Sequence, residues 1–381
     1  MTNETRMEAG KLFNQLADAL ETGKFGGSAR VVLTTVGSEL GPEELVRGAE
    51  LAAQQSDLQV VLVGPKVDTE LELIETECEA EAHKIMESLL ASGEAQAAVT
   101  LHYNFPLGVA TVGRVLTPAR GKSMLLATTT GTAAADRVQA MVLNAIGGIA
   151  VAKSLGIARP TLGILNVDGA RQVERTLRSL QEAGYEFNFS ESVRSDGGAV
   201  LRGNDLLTAS ADVVVCDTLT GNLLMKMFSA FTSGGAYETQ GWGYGPGVGK
   251  GFGKVINIIS RASGAPVVAG AIAYAAQCAQ GKLAERTAAE FDAAGKAGLE
   301  QLLAASAKPA AATEEVTPPA KKPVTADITG IDILELEDAV KALWRDKIYA
   351  ETGMGCAGPV IMIAPEDDSQ ARAILQNQGY L

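Results

Sequence analysis

The stretch ETGMGCAGPVIMIA, residues 351–364, sets one cysteine, Cys356, among three glycines at positions 353, 355 and 358. A cysteine acts as nucleophile or acyl carrier through its thiolate. Successive glycine N–H groups around it would form a nest that stabilises a thiolate or the oxyanion of an acyl transfer. No Cys-His-Asn spacing accompanies Cys356, and a tight turn with an incidental cysteine accounts for the same residues.

Three other stretches carry residues with chemistry. In DVVVCDTLTGNLLMKM, 212–227, a strand runs to Asp217, a turn holds Thr218, Thr220 and Gly221, and a helix starts near Asn222. The free N–H groups of that helix start, with Lys226 one turn on, make a candidate anion site. An ordinary strand–turn–helix with a capping threonine is the plainer alternative. Cys216, at the strand end, reads as a small buried apolar residue. In SGGAYETQGWGYGPGVGKGFGK, 233–254, nine residues are glycine, and Lys250 and Lys254 add positive charge. Backbone that bare can wrap a phosphate, or it can be a surface loop. It lacks the Ser/Thr of a Walker A loop and the preceding strand of a dinucleotide fingerprint. The third set is Asn104 in TLHYNFPLG and the run TTTGT at 128–132, each following an expected strand. His102 could serve there as a general base, or hold the strand end. Only two histidines exist, His83 and His102, so a three-His metal centre is excluded.

These side chains need a frame. Apolar runs at 30–36, 59–64, 97–101, 123–129, 161–167, 212–217 and 266–271 read as strands. Helical patterns separate them at 42–55, 80–93, 135–155, 170–184, 220–231 and 253–263, and an opening helix spans about 4–22. Short Val/Leu-rich strands alternating with helices predict a mostly parallel sheet covered on both faces. In such a sheet ligands bind beyond the carboxyl ends of the strands.

The 381 residues are 46% hydrophobic, enough for a large core. A net charge of −13 argues against nucleic acid and anionic membranes as partners. The four cysteines show neither CxxC nor metal spacing. The first residues have no signal-peptide pattern, and the most apolar window, 141–158, contains Asn144 and Lys153, so a cytoplasmic location is expected. Residues 308–325 hold four prolines and no aromatic residue, the composition of a semi-extended linker. The expected organisation is therefore a domain over 1–305, a linker over 306–327 and a small unit over 328–381. In that unit an acidic helix at 334–351 precedes the cysteine loop, a strand over PVIMIAP and a last helix.

The order of motifs resembles a known family. VGSELGPEELVRGAELA, MESLLASGEAQAAVTLHYNFPLGVATVGRVL, GILNVDG and GNDLLTASADVVVCDTLTGNLLMK are similar to segments of the acyl-carrier-protein:phosphate acyltransferases, which make acyl phosphate from acyl thioester and inorganic phosphate. The resemblance covers most of 30–280. It is strongest where Asp217, Thr220, Gly221, Asn222 and Lys226 match the family's Asp–x–x–Thr–Gly–Asn–x–x–x–Lys pattern. Departures occur at Gly37-Ser38-Glu39, at Asn104-Phe105-Pro106, in the loop 241–254 and in the tail. With GMGCAGP near the end, the whole chain resembles the phosphate-acyltransferase-like subunit of component C of glycine/sarcosine/betaine reductases.

That resemblance implies a three-layer α/β fold of the isocitrate/isopropylmalate dehydrogenase-like, phosphate acyltransferase type, with a small C-terminal α/β appendage. It implies that Cys356 accepts an acetyl group as a thioester and that inorganic phosphate, with no cofactor or metal, releases acetyl phosphate. Lys226 and Asn222 are then catalytic. Asp217, Thr220, Gly221, Asn104, Lys250 and Lys254 are then the phosphate-binding set. The implied partners are a ketoacyl-synthase-like larger subunit, a selenoprotein component A carrying carboxymethyl-selenocysteine, and a second copy of the chain. The choice among glycine, sarcosine and betaine would lie in another component. A stand-alone phosphate acyltransferase using acyl carrier protein or coenzyme A, and a non-catalytic assembly subunit, are the alternative functions.

Overall fold

The computed structural model describes residue 13 and residues 29–194, 197–306, 316–329, 331, 336–355, 358–378 and 380–381. The opening helix expected over 4–22 and Cys356 lie outside the described residues, Phe13 apart.

Twelve strands form one sheet. In chain order they are β1 (Ala29–Thr34), β2 (Leu58–Gly64), β3 (Glu72–Glu75), β4 (Ala97–Thr100), β5 (Val109–Leu116), β6 (Ser123–Thr132), β7 (Thr161–Leu165), β8 (Asn188–Phe189), β9 (Val200–Leu201), β10 (Val213–Val215), β11 (Gly245–Val248) and β12 (Ile256–Ile258). Their spatial order is β3-β2-β1-β4-β12-β11-β5-β6-β10-β7-β8, with β9 also on β7. The run from β3 to β12 is parallel, and so is the run from β6 outward. Antiparallel pairing through β11 and β5 joins the two halves. The mostly parallel α/β fold is therefore as the sequence implies.

Helices cover both faces, because strands buried on each side alternate apolar residues between two cores. Val31 and Leu33 of β1 enter one core, and Val32 enters the other. The larger core takes α1 (Pro42–Gln55), α3 (Arg137–Ser154), α4 (Ala170–Glu182), α7 (Ala265–Gln280), α8 (Leu283–Lys296) and α9 (Leu299–Ser306). The smaller takes α2 (Glu79–Ser92), α5 (Gly203–Thr208) and α6 (Thr218–Ala230).

Three expectations are corrected. The run 266–271, read as a strand, lies in α7, where Gly264 is the N-cap and Pro266 stands in the first turn. Its apolar character continues for a whole sixteen-residue helix, which a six-residue window cannot tell from a buried strand. The run 253–263, read as a helix, holds β12 and the loop after it. The glycine-rich stretch is not all loop, since Gly245–Val248 is β11 inside the sheet. Gly245 has φ 84°, and a Cβ there would sit 1.8 Å from the Val112 carbonyl oxygen, so only glycine fits this crossing.

A second sheet of three strands, order β13-β15-β14, forms near the C-terminus from β13 (Ala326–Thr329), β14 (Ala350–Gly355) and β15 (Gly358–Ile363). With α10 (Leu336–Arg345) and α11 (Asp368–Asn377) it encloses its own apolar cluster around Ile328, Leu343, Ile361 and Leu375. β13 begins at Ala326, inside the linker expected over 306–327. The helix expected over 334–351 ends at Arg345. Gly353, Gly355 and Gly358 stand in paired antiparallel strands rather than in a loop.

Ile149 on α3 is fully buried in the larger core. Ile149→Ala should lower stability by about 2–5 kcal/mol through lost burial and the cavity left behind. Urea denaturation of the full chain measures it, and a loss below about 1 kcal/mol would contradict this packing.

Candidate functional site

A cavity of about 280 Å³ opens where several strands of the sheet end. Leu101, His102, Tyr103 and Phe105 line it from the segment leaving β4, and Thr130 and Gly131 from the end of β6. Asn222 and Lys226 reach it from α6, and Ser260 and Arg261 from the loop after β12. Glu39 and Tyr244 complete its polar rim. The place matches the expectation for ligands in a parallel sheet.

The chemistry centres on Lys226. Its Nζ lies 2.7 Å from Glu238 Oε1 and 2.7 Å from Ser260 Oγ. Glu238 is 1% exposed and also accepts from the Tyr244 hydroxyl at 3.1 Å and from Ser263 Oγ at 2.9 Å. Burial, and then the neighbouring Glu238 carboxylate, push the Tyr244 phenol well above its ordinary range. Lys226 is therefore a cation already answered by a buried anion. Arg261 forms no ion pair among the described residues and lines the cavity together with Glu39. Asn222 donates its amide to the Thr129 carbonyl at 3.1 Å, which fixes the side chain against β6. Burial holds the His102 imidazole below its ordinary pKa, against the opposing pull of Glu79, and His83 and Arg261 lower it further. His102 is thus neutral at pH 7 and able to accept a proton.

Of the sequence candidates, Asn222, Lys226, His102 and, from the TTTGT run, Thr130 and Gly131 meet in this cavity, whereas Asp217, Thr220, Gly221, Asn104, Lys250 and Lys254 do not line it. Asp217 is the N-cap of α6, accepting from Thr220 N at 3.1 Å and Thr220 Oγ1 at 2.6 Å. The helix start expected to receive an anion thus carries a carboxylate of its own. Gly221 packs on β6 so closely that a Cβ would stand 1.7 Å from the Thr128 carbonyl oxygen. Asn104 sits between two lining residues, with its Oδ1 buried and unpartnered. Lys250 pairs with Glu300 at 2.8 Å on the surface. Lys254 pairs with Glu87 at 3.4 Å and lines a different cavity. Neither lysine reaches the site. Cys216 is buried, which pushes its thiol up to about 12, so it is no nucleophile.

Cys356 lies outside the described residues, but its neighbours in sequence approach the cavity. Gly353 of β14 forms an antiparallel bridge with Pro106, which follows the lining residue Phe105. Cys356 is three positions along the chain from Gly353, a reach of at most about 11 Å.

The sequence reading missed Arg261, Ser260, Glu238 and Tyr244. VINIISRAS carries a signal that could have found two of them: apolar β-branched residues followed by Ser, Arg and Ala suit a strand and its exit loop. Among the described residues no His/Cys/Asp/Glu group is arranged to hold a metal ion, and no helix is long and apolar enough to cross a membrane.

Residues 29–362 match the family model described as fatty acid synthesis protein. The chain is 55% identical over 383 aligned positions to the glycine/sarcosine/betaine reductase complex component C subunit alpha of Peptoclostridium acidaminophilum, with both chains fully covered. It is 25% identical over 233 residues to the phosphate acyltransferase of Thermotoga maritima, covering 52% of this chain and 68% of that one. A branched-chain phosphotransacylase structure from Enterococcus faecalis V583 aligns with 65% of this chain and 98% of its own, at 18% identity and TM-score 0.44.

Lys226→Met should cost about 2–4 kcal/mol, because it leaves Glu238 buried without its cation. Adding Glu238→Gln should restore at least half of that loss, and strictly additive urea midpoints would contradict the pairing. A second expectation concerns pH. Burial lowers both His83 and His102. The unfolded chain therefore takes up their protons first as pH falls. The stability gained by keeping them neutral is present above about pH 6.5 and is lost as pH drops through their lowered folded values. Urea midpoints from pH 7.5 to 5 should decline, and His83→Gln should flatten that decline. An unchanged slope would exclude His83 from the effect.

Proposed function

The chain belongs to the fatty acid synthesis protein family, in the branch of the component C alpha subunits of glycine/sarcosine/betaine reductase complexes, and we propose that it transfers an acetyl group from a thioester to phosphate. In this reading Cys356 carries the acetyl group and inorganic phosphate enters the cavity beside Arg261. A phosphate oxygen attacks the thioester carbonyl, a C–O bond forms, and the C–S bond breaks to leave the Cys356 thiolate and acetyl phosphate. His102 takes the phosphate proton and returns it to the thiolate. Lys226 and the Asn222 amide face the developing oxyanion. Holding phosphate against the thioester supplies most of the rate, as positioning does when two reactants are fixed together. The relative that is 55% identical is named as a subunit of a reductase complex, which supports membership of such a complex. The partners in this reading are the larger, ketoacyl-synthase-like subunit and the selenoprotein that delivers the two-carbon unit. Residues 306–327 tether the cysteine-bearing unit 328–381 to the body, 1–305.

One observation carries the reading. The bridge between Pro106 and Gly353 brings the strand that leads to Cys356 against the wall of the only cavity, among those flanked by described residues, that holds His102, Lys226 and Arg261 together.

Incubating the full chain with acetyl phosphate should add one acetyl group to the peptide containing Cys356, and phosphate or arsenate should remove it. Cys356→Ala should abolish acetyl phosphate formation by the assembled complex while leaving assembly intact. Full activity in that variant would favour a plain phosphate acyltransferase that needs no cysteine. Failed assembly would favour a structural subunit.

A further inference from the structure

Behind the cavity wall, α2 turns Glu79, His83 and Glu87, one helical turn apart, toward the segment that leaves β4. His83 is partly buried there, and its Nε2 lies 3.2 Å from Thr100 Oγ1. Thr100 Oγ1 accepts the Thr34 hydroxyl at 2.7 Å and donates its own hydrogen to the His102 carbonyl at 3.0 Å. With that hydrogen engaged, the remaining lone pair of Thr100 receives the Nε2–H of His83, which assigns the tautomer. The two imidazole centroids are 6.3 Å apart. One turn further along, Glu87 accepts the Tyr103 hydroxyl at 2.5 Å, so α2 grips the same segment twice. A leucine would suffice at position 83 to pack a helix on a sheet. A polar ring tied through the Thr100 hydroxyl to main chain at the edge of the site has a different use.

We infer that His83 is a positioning residue: through Thr100 and the His102 carbonyl it fixes the main chain at 100–103 and thereby aims the His102 ring into the cavity. Its catalytic consequence rests on the function proposed above, whereas its structural content does not. No other histidine exists in the chain, so the sequence itself makes the test clean.

The experiment is ring-nitrogen NMR of the ¹⁵N-histidine-labelled full chain, read for His102 in wild type, His83→Gln and His83→Leu. His102 is faced by Glu79 of α2, Arg261 beyond β12, Asp327 of β13 and His83 itself. Both variants remove the His83 charge, and only glutamine keeps an N–H near the Nε2 position. His83→Leu should move the His102 titration toward the ordinary 6.5 by about half a unit or more relative to His83→Gln. In acetyl phosphate–phosphate exchange, kcat should fall about tenfold in the leucine variant with KM for phosphate within about threefold, and glutamine should recover most of it. Identical His102 titrations in the two variants would overturn the inference. If His83→Leu does not fold, Thr100→Val, which removes the bridging hydroxyl, should reproduce the same His102 shift, and no shift there overturns the inference as well. Absence of exchange in the wild type would defeat the proposed function, while the NMR comparison would still decide the role of His83.

Discussion

A single buried carboxylate organises this site. Glu238 accepts from Lys226 of α6, from Tyr244 before β11 and from Ser263 after β12. Its main chain is tied to the same loop, with N–H to the Ala262 carbonyl and carbonyl to the Gly264 N–H, each at 2.9 Å. Removing a carboxylate from water is costly, and the arrangement holds because three donors replace the lost hydration. Three parts of the chain that are distant in sequence are thereby fixed together. The position of Lys226, the tilt of the Tyr244 ring and the path of the loop bearing Ser260 and Arg261 all follow from this one group.

The electrostatics of the cavity follow too. The Lys226–Glu238 pair is neutral as a unit, and His102 is neutral because burial disfavours its charged form. Beyond them the cavity is lined by one cation, Arg261, and one carboxylate, Glu39. In a chain whose net charge is −13 the general field repels phosphate, and Arg261 at the end of the sheet is a local cation set against that field.

Much of this was legible in the sequence. Six of the seven apolar runs read as strands are strands, because Val- and Leu-rich segments bounded by Gly and Asp have few alternatives. Asn222 and Lys226 were legible because they stand four residues apart on one helix, inside one motif. Arg261 and Glu238 were not. Their part in the site exists only because β12 inserts between β4 and β11, pairing Ile256 with Ala98 about 160 residues away. The run 253–263 also contains only three strand residues, too few for periodicity to declare itself. The glycine-rich stretch misled for a related reason. Gly245 and Gly247 serve tight crossing against β5 and Phe105.

That same insertion shapes how the protein is made. During synthesis β4 emerges early, and its neighbour on one side, β12, follows about 160 residues later. At ribosomal rates of roughly 5–20 residues per second, the strand Ala97–Thr100 waits for on the order of ten to thirty seconds with an open edge. Unpaired strand edges recruit other strands, so this interval leaves the chain open to mispairing and chaperone capture. The cavity beside His102 cannot close until the wait ends. A nascent chain halted before residue 256 therefore possesses most of its sheet and none of its completed site.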